Sequence, residues 1–303
     1  MYDVVIIGAG TAGMSAAIYT VRAGKTALML EGNAYGGQII NTPDIENYPG
    51  IAHISGFDFA TGLYEQALAL GAELEFEKAL SVKKTDGGFE VLTAQNSYPC
   101  KAVILATGAK NRPLGLPNEQ KLIGHGVSYC ATCDGMFFRG RDVAVNGGGN
   151  TALEDALFLS NYCNKVYLVH RRDQFRGDLK EVQRLREKDN IEFVLNSTIS
   201  EIKEEEDMVS AIVVKDKFTG DTREIPVAGL FVAIGQEPDN LPFANVAELD
   251  EKGYISAGED CTCKIPGVFT AGDCRTKTVR QLTTAASDGA VAALAACGYI
   301  DEI

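Results

Sequence analysis

Apolar residues gather along this chain in two kinds of run. Short, mostly β-branched runs of buried-strand length stand at Val4 to Ile7 and at Val143 to Val145, and each leads into glycines and then into an apolar pattern of helical period. The two regions match without a gap. DVVIIGAGTAGMSAAIYTVRAGKTALMLE runs from Asp3 to Glu31 and DVAVNGGGNTALEDALFLSNYCNKVYLVH from Asp142 to His170, at a constant offset of 139. Strand, glycine turn, helix, strand is a βαβ unit, and the pattern predicts two. A second echo pairs Ala102 to Gly108 with Gly229 to Gly235 at an offset of 127, both buried-strand runs ending in glycine. Shorter alternating stretches precede them, at Leu80 to Lys84, Phe89 to Thr93 and Ile212 to Val214, broken by turn signals such as Asp86-Gly87-Gly88 and Thr219-Gly220-Asp221. Each half therefore reads as a parallel sheet plus an antiparallel meander, and the acidic run Glu204 to Asp207 reads as a solvated turn.

One further buried run, Ile265 to Thr270, ends in Ala271-Gly272-Asp273 and must be accepted by one of the two sheets. If the first sheet accepts it, one domain is inserted in the other. The expected fold class is α/β, with two Rossmann-like dinucleotide-binding domains of three-layer ββα type, the second inserted in the first. Residues 1–112 and 240–303 would form the outer domain and 113–239 the inserted one, with hinges at Asn111-Arg112-Pro113 and Glu237-Pro238-Asp239-Asn240, polar and proline-marked.

The glycine spacing has a chemical cause. Gly8, Gly10 and Gly13 form G-x-G-x-x-G, and Gly147, Gly149 and Ala152 stand at the equivalent places. In such a turn the first glycine permits the tight bend. The second lets backbone N–H groups approach a pyrophosphate, and the third small residue lets the helix lie on the strand. At the end of the second strand the first copy has Glu31, a carboxylate that accepts from ribose hydroxyls and repels a 2′-phosphate, so this site suits FAD or NAD. The second copy has His170, followed by Arg171, Arg172 and Arg176, donors of the kind a 2′-phosphate requires, so this site suits NADPH. A solvated basic helix start is the plainer alternative.

Composition narrows the field. The 303 residues suggest two domains, and 23% charged and 46% hydrophobic residues with 32 glycines and 9 prolines are ordinary for a globular protein, not a disordered or collagenous one. A net charge of −13 disfavours nucleic acid and anionic membrane as partners. No apolar run approaches 18 residues, and Met1-Tyr2-Asp3 lacks a basic start, so a cytoplasmic protein is expected. In that compartment the eight cysteines are not expected to form a structural disulfide framework, and any disulfide should be chemical.

Cys130-Ala131-Thr132-Cys133-Asp134 supplies a candidate. Two intervening residues allow a small-ring disulfide at a helix start, where the dipole favours thiolate. Asp134 is placed to pass a proton to a leaving thiolate, a role that wants a modestly raised pKa; its plainer reading is a helix cap. Zinc is disfavoured, since a closed site usually shows two C-x-x-C knuckles. Cys261 and Cys263, two apart in an expected strand, would share a face and read as packing. Cys100, Cys163 and Cys297 read as small hydrophobic residues.

In the order and placing of these motifs, with the dithiol inside the NADPH segment, the chain resembles the low-molecular-weight thioredoxin reductases over nearly its whole length. The resemblance implies a homodimeric flavoenzyme that passes electrons from NADPH through FAD and its own disulfide to a thioredoxin or thioredoxin-like protein, by rotation of the inserted domain. A relative fed by ferredoxin or NADH, or serving another acceptor, is the alternative. The FAD residues implied are Gly8, Gly10, Gly13, Glu31, Gly37, Gln38, Asn47, Thr107, Gly108 and Asp273, the last at the ribityl chain. Arg280, Gln281 and Leu282 would meet the flavin ring, where a helix start would aim its positive end. The NADPH residues implied are Gly147, Gly149, Asn150, Thr151, His170, Arg171, Arg172 and Arg176. Cys130, Cys133 and Asp134 would be catalytic, Cys133 nearer the flavin, with no metal.

Overall fold

The computed structural model describes residues 1–42 and 44–303, and of Asn41 only the backbone. The chain divides into two compact units, Met1–Lys110 with Glu237–Ile303, and Asn111–Gln236.

The first unit opens with strand β1 (Tyr2–Ile7), helix α1 (Thr11–Arg22) and strand β2 (Ala27–Leu30), followed by α2 (Gly56–Ala69) and strands β3 (Glu73–Glu75), β4 (Ser81–Thr85), β5 (Gly88–Leu92) and β6 (Ser97–Leu105). β1 lies between β2 and β6, parallel to both. β6 has two jobs. Its first half pairs antiparallel with β5, and its second half runs parallel to β1, so the meander and the parallel sheet are one continuous seven-stranded sheet.

Alternation along β1 builds two cores. Val4 and Ile6 face α1, while Val5 and Ile7 face the opposite side with Phe89, Val91 and Phe243. A strand buried on both faces needs a continuous apolar run, which is what Val4 to Ile7 supplies.

Strand β7 (Ala109–Asn111) leaves this unit. The second unit follows: β8 (Val127–Ser128), α3 (Ala131–Asp134), β9 (Asp142–Gly147), α4 (Asn150–Ser160), β10 (Lys165–Val169), α5 (Leu179–Arg186), β11 (Ile191–Val194), the meander β12 (Ser197–Glu205), β13 (Met208–Asp216) and β14 (Thr222–Pro226), then β15 (Gly229–Ala233). Its parallel sheet runs β11-β10-β9-β15-β8, and the meander is a separate three-stranded sheet. The layers repeat those of the first unit. Val143 and Val145 face α4, and Ala144 faces the meander residues Ile202, Ile212 and Ile225. The acidic run covers the exposed end of β12 and the turn after it, with Glu206 and Asp207 at φ 50° and 62°, and Lys121 pairs with Glu204 and Asp207.

Strand β16 (Gln236–Pro238) pairs with β7, and the chain ends with β17 (Val268–Thr270) and α6 (Leu282–Glu302). β17 adds to β6 in parallel, so the first sheet accepts the late strand. The connecting segments are narrower than the expected hinges. Asn240 is fully buried, accepting from Thr107 Oγ1 at 2.6 Å and donating to the Gly253 and Cys274 carbonyls at 2.9 and 2.8 Å, a bolt in the first unit.

The expectation for Cys261 and Cys263 is corrected. The segment is no strand, because Cys261 adopts φ +59° and breaks the alternation. Cys261 packs in the core under α1 and α6, whereas Cys263 packs in the opposite core with Cys274.

Candidate functional site

In both glycine turns the outer positions are demanded by packing and the middle one is not. A Cβ on Gly8, which has φ +109°, would stand 2.3 Å from the Ala106 carbonyl oxygen, and one on Gly13 would stand 1.9 Å from the Gly8 oxygen. On Gly147 it would stand 2.3 Å from the Ala233 oxygen and 2.6 Å from the Ala152 Cβ. A Cβ on Gly10 would meet nothing nearer than 3.9 Å, and one on Gly149 nothing within 4 Å. The bare middle glycine has no role in the fold itself, which fits close approach of a phosphate group. Gly10 and Gly149 are the N-caps of α1 and α4, and neither helix is capped by a side chain, so first-turn N–H groups remain for an anion.

In the first unit Glu31 is held beside its turn. Its Oε2 accepts from the Ala9 N–H and its Oε1 from the Asn33 N–H, both at 3.0 Å, which leaves the carboxylate further acceptor capacity for ribose hydroxyls. Gly37, at φ +68°, follows a Gly36 whose N–H donates to the Ala9 carbonyl at 2.8 Å, so Gly37 and Gln38 border the glycine turn. Asn47 Nδ2 donates to Gln281 Oε1 at 3.4 Å, bringing together two residues 234 apart. Gly108 lies beyond β6 at φ +68°, next to the Thr107 that is tied to Asn240.

Asp273 is the strongest sign of a missing partner. Its Oδ1 is buried with no hydrogen bond, and burial pushes its carboxyl up despite Lys277 and Arg280 nearby. An orphaned buried carboxylate oxygen fits a cofactor hydroxyl donor. Arg280 stacks on Tyr254 at 4.3 Å, and Gln281 and Thr284 form a capping box at the start of α6 that takes up the Thr284 N–H, leaving fewer free donors there than a bare helix end would.

In the second unit the basic segment divides. Arg171, Arg172 and Arg176 are exposed. His170 is not with them. Its ring lies against Gly148, stacks on Phe175 at 5.2 Å and donates from Nε2 to the Gln174 carbonyl at 3.1 Å. Burial first, then the three arginines, lowers its pKa, which disfavours the charge that the sequence led one to expect there. Asn150 Oδ1 accepts from the Asp178 N–H at 2.8 Å and the Arg176 N–H donates to the Gly148 carbonyl at 2.7 Å, which fastens the arginine loop to the glycine turn. Thr151 is exposed in the first turn of α4.

Cys130 and Cys133 are joined as a disulfide with Cα atoms 5.3 Å apart. They lie beyond the carboxyl end of β8, Cys130 as N-cap of α3, a helix of one turn. Asp134 is the last residue of that turn and caps nothing. Its Oδ2 accepts from Ser128 Oγ at 2.6 Å, its Oδ1 is buried without a partner, and burial raises its carboxyl while the Ser128 bond opposes the rise. A carboxyl raised by burial next to the disulfide suits the acid for a leaving thiolate. Ser128, which also accepts from the Cys130 N–H at 3.0 Å, had no signal in the sequence beyond its nearness to the pair. Burial raises the thiols of Cys100 and Cys263 to about 12 and those of Cys163 and Cys261 to about 11, which disfavours their thiolates.

Two nucleotide-type βαβ units and a disulfide flanked by an acid define a flavin- and nicotinamide-linked disulfide oxidoreductase. The chain belongs to the pyridine nucleotide-disulphide oxidoreductase family, whose pattern matches residues 2–289. It is 43% identical to the thioredoxin reductase of Treponema pallidum (strain Nichols), over 100% of this chain and 98% of that one. It is 40% identical to the thioredoxin reductase of Bacillus subtilis (strain 168), over 100% and 96%. Among solved structures, the thioredoxin reductase from Streptococcus pyogenes MGAS5005 superposes with a TM-score of 0.95 at 39% identity, covering 100% of this chain and 99% of that one.

Proposed function

We propose that the protein is a flavoenzyme that reduces the disulfide of a thioredoxin with electrons from NADPH. The observation that carries this reading is the Cys130–Cys133 disulfide beside the buried, half-bonded Asp134. FAD would be held by Gly8, Gly10, Gly13, Glu31, Gly37, Gln38, Asn47, Thr107, Gly108 and Asp273, with Arg280, Gln281 and Leu282 toward the ring. NADPH would be held by Gly147, Gly149, Asn150 and Thr151, with Arg171, Arg172 and Arg176 on the 2′-phosphate. Bound there, a flavin supplies two-electron chemistry between a reduced nicotinamide and a disulfide.

The chain's own groups do the rest. The electron pair breaks the Cys130–Cys133 bond and leaves two sulfurs as thiolates. Asp134 gives its proton to one, and the other attacks the disulfide of the partner to form a mixed disulfide. The partner sulfur expelled in that attack takes a proton from solvent. The remaining cysteine returns its proton to Asp134, attacks the mixed disulfide as a thiolate and restores Cys130–Cys133. The second partner sulfur leaves with the Asp134 proton, so the partner departs as a dithiol. Two electrons and two protons reach the partner, and Asp134 is reprotonated from solvent. The exposed arginines favour NADPH over NADH or ferredoxin. Resemblance to the relatives supports a homodimer.

The test follows nicotinamide oxidation with thioredoxin or an aromatic disulfide dye as acceptor, for the wild type and Cys133→Ser. A yellow protein that prefers NADPH at least about tenfold, and a variant that keeps its flavin but loses thioredoxin reduction, are expected. Equal rates with NADH would overturn the donor, and full activity in Cys133→Ser would overturn the route.

A further inference from the structure

Behind the segment that carries Asp273 lies a buried charge cluster that no sequence motif announces. Asp288 projects inward from α6 and is 6% exposed. Its Oδ2 accepts from the Gly272 N–H at 3.0 Å, from Arg275 Nε at 2.8 Å and from Lys277 Nζ at 2.9 Å, and its Oδ1 accepts from Arg275 Nη2 at 2.8 Å. The Arg275 and Lys277 side chains are 9% and 7% exposed. Arg275 Nη1 also donates to the Thr276 carbonyl at 3.1 Å, and Arg280 donates to the Asp273 and Arg275 carbonyls at 3.4 and 3.3 Å. The backbone of Gly272, Asp273, Arg275 and Thr276 is thereby tied to the Asp288 carboxylate or to the guanidinium of Arg275 or Arg280. The Asp273 side chain alone is left out of these bonds, its Oδ1 buried and unpartnered.

Burying two cations around one carboxylate is an inefficient way to gain stability, since apolar side chains of the same volume serve as well. What such a cluster provides is a fixed geometry. It also leaves one positive charge uncompensated within itself, and an outside carboxyl that feels it is Asp273, which burial raises while Lys277 and Arg280 favour its ionised form. We propose that Asp288, Arg275 and Lys277 form a positioning cluster that holds Ala271-Gly272-Asp273 in the conformation that binds the flavin cofactor. The inference rests on the reading that Asp273 contacts that cofactor.

The experiment measures the FAD dissociation constant and release rate on deflavinated protein, together with the melting temperature of the FAD-free form, for Lys277→Met, Asp288→Asn and Asp273→Asn. Lys277→Met keeps the bidentate Arg275–Asp288 pair, so its FAD-free form should melt near the wild type while FAD binds about tenfold more weakly, the effect of losing one hydrogen bond to a charged group. Asp288→Asn should weaken FAD at least as much. A role confined to stability would lower the melting temperature and leave FAD affinity within twofold, and that result in a folded Lys277→Met overturns the proposal whether or not Asp288→Asn folds. FAD affinity within twofold in Asp273→Asn would instead overturn the cofactor assignment on which it rests.

Discussion

A carboxyl group held away from water beside a disulfide has a predictable pH response. Burial raises the Asp134 pKa and the Ser128 hydroxyl opposes the rise. Asp134 should therefore act as an acid below its raised pKa and lose that role as pH rises through it. Asp134→Asn is expected to slow thioredoxin reduction about 100-fold and to abolish the alkaline fall in rate. Ser128→Ala, which removes the opposing hydrogen bond, should move that fall to higher pH. Rates against pH for the three proteins decide the matter, and a fall that stays in place in both variants would assign it to another group. Cys130, Cys133 and Asp134 were legible in the sequence because their spacing is local. The burial of His170 was not legible there, because nothing in its neighbourhood along the chain shows that Gly148 and Phe175 enclose its ring.

Helices α1 and α4 occupy equivalent places in the two units, yet α4 carries an acid where α1 carries none. Asp155, on α4, is half-buried, and burial raises its carboxyl to about 7, with Glu154 adding to the effect. An exposed aspartate ionises near pH ~4. Between those values the folded chain keeps a proton that the unfolded chain has released, so stability falls as pH rises through the window and is level above it. Asp155→Asn removes this titration. Its melting temperature should match the wild type near pH 4 and exceed it by roughly 2–4 °C at pH 8. A difference that does not change between those pH values would show that burial of the charge is not the cause. The helix and its period were plain from the sequence; the burial of Asp155 was not, because it depends on what packs against α4.

Each unit has its own pair of cores, one on each face of its parallel sheet, and each carries one nucleotide-type turn. Under the proposed function, a ligand that binds one folded unit stabilises that unit by about 2.7 kcal/mol at a hundredfold excess over its dissociation constant. Calorimetry of the flavin-free protein should therefore resolve two transitions, one raised by FAD and the other by NADP+. Equal movement of both by either ligand would refute the independence of the units. The sequence by itself determined the two βαβ units and the dithiol, and marked their glycines, Glu31 and the arginines as candidates for cofactor binding, because period, spacing and residue chemistry are local properties of a chain. The tertiary structure alone decided the rest. It joined β17 to β6, bolted Thr107 to Asn240, sent Cys261 and Cys263 to opposite cores, and drew Arg275, Lys277 and Asp288 around the segment of Asp273. These outcomes turn on which distant residues meet when a sheet closes and a helix is laid across it, and the identity of a residue's neighbours in space is not written in its neighbours along the chain.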